Sequence, residues 1–217
     1  MKAPHYDTKD DVLLDPFDAA WNKTADEVLD MMPAPVAMVQ HLSPFMALSK
    51  DHGKIRRVTV NAQHNGRRLS IRLVWADDSS DTEIKDLDQF TDAAAVMFPM
   101  NKGANAITMG DEQNPVNAWF WKAGSAEPHD ILAHGFGTSR RRPAKVSGLR
   151  ATSSYADGRW HVVFQRSLRP GTGLSDQVAF KPAAPIGIAV ALWAGSNRER
   201  AGQKSISGEW TAFEVTS

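Results

Sequence analysis

The stretch Lys54–Asp77, KIRRVTVNAQHNGRRLSIRLVWAD, decides the fold class of this chain. Two runs of alternating apolar and polar residues flank Asn65-Gly66, a pair that tolerates the positive φ angles of a tight type I′ turn. One face of the second run carries the large apolar residues Leu69, Ile71, Leu73 and Trp75. Because alternate side chains of a strand point to opposite faces, the stretch predicts a β-hairpin with one buried face.

Further strands are predicted along the chain. Residues 149–156 and 159–168 flank Asp157-Gly158 and form a second hairpin pattern. The run 185–193 is apolar on both faces, as in a central strand, and 210–215 alternates. One short helix is predicted over 24–31, where Thr24 and Glu27 have capping-box spacing. We therefore expect a mainly β fold, an antiparallel β-sandwich with short helices and long loops.

We expect one domain over residues 1–217, in which residues 1–13 can form a flexible N-terminal extension. The chain carries 25 basic and 25 acidic residues, and this balance argues against nucleic acid or an anionic membrane as a partner. The absence of cysteine excludes disulfides, iron–sulfur clusters and covalently attached haem. No apolar run approaches the roughly 18 residues that span a bilayer, and no signal peptide is visible at the N-terminus.

Familiar enzyme motifs are missing. The sequence has no Gly-rich nucleotide loop, no HExxH and no GxSxG. The His129–His134 pair has only loose metal-site spacing. The run Arg140–Arg142 reads as a solvated loop, with a docking or carboxylate-facing patch as the alternative.

Two long irregular stretches, about 99–115 and 123–147, are rich in Gly, Pro and Asn. Loops this long inside a compact β domain are uncommon unless they carry function. The first contains Met109, which precedes Gly110 in a loop where a methionine has little reason to be packed. The ordinary alternative is a methionine that fills a gap in the core.

Two other methionines compete with Met109. Met97 lies in an apolar run and suits the core, whereas Met100 follows a proline and can project into a pocket. Among the amines, Lys204 lies between Gly202 and the entry to the last strand, and its ordinary alternative is an exposed loop lysine. Lys122 and Lys181 are the competing lysines.

An ordered set of motifs resembles the haem b-binding γ subunits of the dimethyl-sulfoxide-reductase-type molybdoenzymes. These subunits belong to ethylbenzene dehydrogenase, dimethyl sulfide dehydrogenase, selenate reductase and chlorate reductase. The resemblance runs from about residue 14 to the C-terminus. It rests on Asp15-Pro16 with Ala19-Ala20-Trp21-Asn22, Phe98-Pro99, Met109-Gly110, Pro115-Val116-Asn117 with Trp119 and Trp121-Lys122-Ala123, Ile186–Trp193 and Gly202–Ser207.

The resemblance implies a sandwich that holds one non-covalent haem b in a pocket formed by its loops, with a methionine and a lysine as axial ligands. Carried over by motif, these ligands are Met109 and Lys204, with Met100 as the alternative methionine. The aromatic residues Trp119, Trp121, Phe120 and Phe98 are candidates to wall the porphyrin. Lys122 and the run Arg140–Arg142 are candidates to bind its propionates.

The resemblance also implies the function and the partners. The chain would be a non-catalytic electron-transfer subunit in the periplasm. Its partners would be an iron–sulfur β subunit, a molybdenum-containing α subunit and a soluble c-type cytochrome. The alternative from another class is a carbohydrate-binding module, because such sandwiches present tryptophan to sugar rings and this chain has seven.

Overall fold

The computed structural model describes residues 1–39, 41–84, 86 and 88–216, which form two β-sheets packed face to face. The strands are β1 Lys2–Ala3, β2 Glu27–Asp30, β3 Met32–Pro33, β4 Arg57–His64, β5 Arg68–Ala76, β6 Ala93–Pro99, β7 Val116–Lys122, β8 His129–Ala133, β9 Arg140–Pro143, β10 Arg150–Ala156, β11 Arg159–Ser167, β12 Ile186–Trp193, β13 Ser205–Ile206 and β14 Thr211–Val215. The described helices are short: α1 Pro44–Ala47, α2 Ala144–Ser147 and the 3₁₀ turns Val12–Leu14, Ala19–Lys23, Val36–Val39 and Gly195–Asn197. The predicted mainly β sandwich is confirmed.

The two sheets differ in size. The larger has nine strands in the order β1-β14-β12-β6-β7-β8-β9, with β13 beside β12 and β3 beside β13. The smaller has five strands in the order β10-β11-β5-β4-β2. Almost all neighbouring strands are antiparallel, and β1 pairs in parallel with β14. β12 lies inside the larger sheet between β6 on one side and β13 and β14 on the other, as its two apolar faces predict.

Both predicted hairpins form, with different turns. At Asp157-Gly158 both residues have positive φ, 51° and 69°, as a type I′ turn requires. At Asn65-Gly66 only Gly66 has positive φ, and the side-chain oxygen of Asn65 accepts hydrogen bonds from the backbone amides of Arg67 and Arg68. The amide of Asn65 donates to the carbonyl of Arg68, so the turn is centred on Gly66-Arg67, one residue further along the chain than predicted.

The core lies between the sheets and is rich in aromatic rings. The predicted inward faces of β5 and β11 are confirmed, because Trp75 and Trp160 lie in the core with ring centres 6.4 Å apart. From the larger sheet Phe98 and Trp119 contact each other at 5.1 Å. Aromatic pairs at these separations contribute beyond the area that they bury.

A buried polar network also joins the sheets. Asp130 on β8 is fully buried and accepts hydrogen bonds from Asn117, Gln177 and Arg142. The guanidinium of Arg166, on β11 of the other sheet, lies 3.5 Å from the Asp130 carboxylate. Because a buried charge must be paired to be tolerated, this network fixes how the two sheets face each other.

The N-terminal segment is packed against the sandwich rather than extended from it. β1 adds to the edge of the larger sheet, and Leu13 is fully buried. Leu14 and Trp21 cover Val163 on the outer face of the smaller sheet. This differs from the flexible extension expected for residues 1–13, because apolar residues that were not part of any periodic pattern find a sheet face to cover.

Three local predictions were wrong. The predicted helix 24–31 is not formed; the range contains strand β2, Glu27–Asp30, because pairing with β4 outweighs the local capping signal. The predicted irregular stretch 123–147 contains β8, β9 and α2. Arg140–Arg142 is part of the edge strand β9 rather than of a loop; Arg140 and Arg141 are exposed, as predicted, whereas Arg142 pairs with Asp130.

Candidate functional site

The outer face of the larger sheet, which points away from the core, carries mostly alanine and glycine along its central strands. We call this set of residues the small-residue floor. In β6 the residues Ala94, Val96 and Phe98 point into the core, so the alternate residues point outward. The outward-facing floor positions of β6, β7 and β12 are Ala93, Ala95, Ala118, Gly187, Ala189 and Ala191. Met97 lies in the same outward phase of β6. Ala93, Ala95, Ala118 and Ala189 are buried, and Phe120 and Trp193 pack against the first two.

Aromatic residues border this small-residue floor. Phe120 on β7 and Trp193 on β12 contact each other edge-to-face with ring centres 5.6 Å apart. On the opposite side, Trp210 packs directly over Gly187, where an added Cβ would come within 2.8 Å of the indole. The floor is thus enclosed by rings at two ends.

The loop between β6 and β7 folds back beside the floor and carries Met109. The indole nitrogen of Trp210 donates a hydrogen bond of 2.8 Å to the carbonyl of Ala104, which ties the loop to the sheet. The side-chain oxygen of Asn105 accepts from the amides of Ile107 and Thr108 and shapes the turn that precedes Met109. The loop is therefore held to the sheet by Trp210 and shaped internally by the Asn105 side chain.

Met109 itself has a strained backbone. Its φ is 60°, a left-handed conformation that is unfavourable for a residue with a side chain. Its carbonyl accepts a hydrogen bond of 3.0 Å from Gly135, and its amide donates to Ala106. Such strain persists where surrounding contacts impose it, and it is concentrated at functional sites.

Lys204 approaches from the other side of the floor. It immediately precedes β13, and its carbonyl accepts a hydrogen bond of 2.9 Å from the amide of Ala34. The indole nitrogen of Trp193 donates to the carbonyl of Ala201 and so holds the turn that carries Lys204. The Lys204 amine lies 4.9 Å from the centre of the Trp193 ring.

The two sides meet at the side chains of Met109 and Lys204. The Lys204 Nζ donates a hydrogen bond to the Met109 Sδ over 3.9 Å. Burial lowers the pKa of the Lys204 amine from 10.5 to about 8, because the charged form loses hydration. An amine with this pKa gives up its proton more readily than an ordinary lysine, as a metal ligand must.

The separation of the two side chains can be compared with that in a metal site. A single first-row metal ion held between sulfur and nitrogen separates them by roughly 4.3 Å, because bonds to sulfur and nitrogen are about 2.3 and about 2.0 Å. The observed separation of 3.9 Å is about 0.4 Å shorter, so the thioether and the amine are in direct contact and would move slightly apart to bind one ion.

The other predicted site residues are placed elsewhere. Phe98, Trp119 and Trp121 do not line the floor, because they occupy the inward-facing positions of their strands and lie in the core. Met100 packs against that same core. Lys122 is outward-facing on β7, two residues from Phe120, and so lies on the face of the floor.

Trp193 and Trp210 were not predicted as site residues. Trp193 ends the motif Ile186–Trp193 and Trp210 begins the predicted strand 210–215, but the apolar run of β12 gave no indication of which phase faces outward. The signal that could have found them is the small outward phase of β12, Gly187-x-Ala189-x-Ala191, which ends at Trp193. Small residues in alternate positions of a central strand indicate close approach of another group.

Comparison with protein families matches this chain to the family described as Ethylbenzene dehydrogenase, over residues 18–149 and 144–205. The chain belongs to this family. The match includes both Met109 and Lys204.

Relatives in this family are named as heme or gamma subunits. A respiratory nitrate reductase heme subunit, ORF7, of Haloferax mediterranei is 34% identical over 199 residues, which cover 91% of this chain and 67% of that protein. The chlorate reductase subunit gamma of Ideonella dechloratans is 39% identical, covering 71% and 63%. The dimethylsulfide dehydrogenase subunit gamma of Rhodovulum sulfidophilum is 27% identical, covering 93% and 75%. The matches thus span about two thirds of the length of these relatives, which by name are not catalytic subunits.

Solved structures resemble the chain in fold alone. A family 9 carbohydrate-binding module of Caldicellulosiruptor kristjanssonii aligns over 100% of this chain and 95% of its own, with a TM-score of 0.54 and 8% identity. A carbohydrate-binding protein of Bacteroides uniformis aligns over 99% and 98%, with a TM-score of 0.59 and 10% identity. Both are consistent with the β-sandwich.

No helix in the described ranges is long and apolar enough to cross a membrane. Nor do these residues contain a group of three or more histidine or acidic side chains placed to hold a metal ion.

Proposed function

We propose that this chain is an electron-transfer subunit that binds one haem b non-covalently, with Met109 and Lys204 as the axial ligands. The observation that carries the proposal is the 3.9 Å contact between the Lys204 amine and the Met109 thioether beside the small-residue floor. Membership of a family whose relatives are named as heme or gamma subunits supports it. With no cysteine in the chain, attachment through thioether links is excluded.

Each part of the site has a role in this proposal. The alanine and glycine floor accepts the flat face or edge of the porphyrin, and the rings of Phe120, Trp193 and Trp210 border it and exclude water. The backbone hydrogen bonds at Met109 and the indole hydrogen bond to Ala201 fix the two segments that carry the proposed ligands before the cofactor binds. Lys122, on the same face, is the predicted propionate partner on β7.

The ligand types suit electron transfer. Bound haem supplies a one-electron redox centre whose potential depends on its axial ligands. Met109 offers a neutral, soft sulfur that favours the reduced metal, and Lys204 must be deprotonated to bind, which its lowered pKa assists. If both side chains bound the metal, they would leave no coordination position open for a substrate.

The partners and the compartment are part of the same proposal. The relatives are named as subunits of reductases and a dehydrogenase, which supports assembly of this chain with other molybdoenzyme subunits. We expect an iron–sulfur β subunit and a molybdenum-containing α subunit as stable partners, and a soluble c-type cytochrome as the redox partner. The proposed location is the periplasm.

The carbohydrate-binding alternative rests on the tryptophan content and the fold. Five of the seven tryptophans are buried at 6% exposure or less and cannot stack on a sugar ring: Trp21, Trp75, Trp119, Trp121 and Trp160. The other two, Trp193 and Trp210, border the Met109–Lys204 site. The placement of the tryptophans therefore favours the haem proposal.

An absorption spectrum tests the proposal. The purified chain supplied with haemin is expected to show a sharp Soret band, with split α and β bands after dithionite reduction. The haem should then extract fully into acidified organic solvent, because it is not covalently bound. A chain that retains no haemin, and so shows no Soret band once the free haemin is removed, would contradict the proposal.

A further inference from the structure

The edge strand β9 places one arginine on the same face as the small-residue floor. In the register of the larger sheet, Ala118 pairs with Ile131 and Ile131 pairs with Arg141. Residues paired in this way point to the same side of a sheet. Because Ala118 is an outward-facing floor residue, Arg141 points outward as well, whereas its neighbours Arg140 and Arg142 belong to the other phase.

The Arg141 side chain reaches back over the sheet toward the floor. Its guanidinium carbon lies 5.9 Å from the centre of the Phe120 ring, which is two strands away on β7. Phe120 contacts Trp193 at 5.6 Å, and Trp193 lies below the Lys204 amine at 4.9 Å. A continuous row of contacts therefore links Lys204 to Arg141 across the face.

The Arg141 guanidinium also has no acidic partner among the described residues. Among the residues that the structure describes, it forms no ion pair and no side-chain hydrogen bond, and its contact is with the Phe120 ring. By contrast, Arg142 in the opposite phase pairs with both Asp130 and Asp176. A guanidinium that lies over an aromatic ring at the margin of an apolar floor is placed to receive the acidic end of an otherwise apolar ligand.

We propose that Arg141 binds a carboxylate of the ligand that occupies the floor, which makes it the propionate-binding residue of β9. This inference rests on the haem function proposed above. The position of the guanidinium supports it: strands are about 4.8 Å apart, so a group above β7 and β8 lies about 5 to 10 Å from the β6 part of the floor. That offset suits the periphery of a porphyrin, where its carboxylates lie, rather than the metal.

Arginine is well suited to this role. Its planar guanidinium can donate two parallel hydrogen bonds to a carboxylate while it remains stacked on Phe120. A lysine at this position would retain the charge but lose the paired geometry. The substitution Arg141→Lys should therefore restore only part of the contribution that Arg141→Gln removes.

Haemin and its dimethyl ester distinguish this role from a structural one. Both ligands carry the same metal and ring, but the ester has no ionised carboxylate. We expect Arg141→Gln to weaken haemin binding about fivefold, the effect of roughly 1 kcal/mol for a solvent-exposed ion pair, and to leave ester binding unchanged. Arg140→Gln is the matched control, because it removes the same charge from the same strand on the opposite phase, and it should leave both affinities unchanged.

The outcomes separate the two proposals. If the wild-type chain binds neither haemin nor the ester, the haem function and the Arg141 inference both fail. If wild type binds both ligands and Arg141→Gln has the same haemin-to-ester affinity ratio as wild type, the Arg141 inference alone is overturned. An equal loss of both affinities in Arg141→Gln would mean a structural role and would also overturn it.

Discussion

Met109 is held by its backbone as well as by its side chain, which packs against the buried cluster of Ala104, Val116 and Ala133. The left-handed conformation of a residue other than glycine costs roughly 1–2 kcal/mol. Here the hydrogen bonds from Gly135 to the Met109 carbonyl and from Met109 to Ala106 maintain it. The consequence is that the thioether is directed at Lys204 in the absence of any ligand.

Acid should weaken haem binding through Lys204. Burial lowers the pKa of this amine to about 8, and a protonated amine cannot bind a metal. Below pH 8 the haemin affinity should therefore fall by about tenfold per pH unit, whereas above it the affinity should level off. Haemin titrations between pH 6 and 9 measure this dependence.

Two variants control the acid experiment. Lys204→Ala should bind haemin more weakly and lose the steep pH dependence, which leaves only the titration of the ligand itself. Lys181→Ala, which removes an exposed lysine, should behave as wild type. An unchanged pH profile in Lys204→Ala would show that another group competes with the proton.

The two residues that meet at the candidate site were predictable from the sequence, and the surrounding rings were not. Met109 and Lys204 were chosen by motif order, and the structure brings them together. The chosen wall residues Trp119 and Trp121 lie in the core, because β7 is apolar in both phases. Alternation separates the two faces of such a strand but does not indicate which face is the core.

Among the elements, the loop between β6 and β7 depends on its bond to Trp210. Replacing Trp210 with Phe keeps a ring over Gly187 but removes the indole donor to the Ala104 carbonyl. We expect a loss of about 1 kcal/mol in the free energy of unfolding and faster amide hydrogen exchange in residues 103–110. Denaturant titration and exchange measured by mass spectrometry test both.

Trp193→Phe is the matched control for the loop. It also removes an indole hydrogen bond, but that bond anchors Ala201 on the Lys204 side. Exchange should therefore increase around residues 200–204 and remain unchanged in 103–110. Equal protection of residues 103–110 in Trp210→Phe and wild type would show that this bond does not hold the loop.

Local sequence signals predicted the hairpins. They failed where the secondary structure depends on strand pairing between residues far apart in the sequence. Asp157-Gly158 and Asn65-Gly66 encode turns through their own backbone preferences, so both hairpins were found. Thr24 and Glu27 satisfy a capping pattern, yet Glu27 pairs with Val60 more than thirty residues away and the segment becomes β2. β9 was missed for the same reason, since three arginines lack strand periodicity and only β8 orders them.

For the whole molecule, a buried carboxyl pair should make stability depend on pH. Burial, and then the nearby Asp92, raise the pKa of Asp77 from 3.8 to about 6. The folded state then binds a proton more tightly than the unfolded state, so stability should fall as pH rises from about 4 to about 6. The shift of about two units corresponds to at most about 3 kcal/mol.

Asp77→Asn should remove that part of the pH dependence. Urea denaturation should show the variant to be more stable than wild type at pH 7.5 and nearly equal to it at pH 4. A slope remains, because burial also raises the pKa of Asp92. The control Asp78→Asn alters a neighbouring exposed carboxylate and should retain the wild-type slope. If the free energy of unfolding of Asp77→Asn depended on pH as steeply as that of wild type, the raised pKa of Asp77 would not be the cause of the pH dependence.

The most direct test of the Met109–Lys204 site is the spin state of haem bound to two leucine variants. Leucine preserves the apolar volume of methionine and removes the sulfur. Electron paramagnetic resonance of the haemin-loaded ferric protein should show a low-spin signal for wild type and for Met100→Leu, and a high-spin signal for Met109→Leu. A low-spin signal in Met109→Leu together with its loss in Met100→Leu would contradict the assignment of Met109 as the axial ligand.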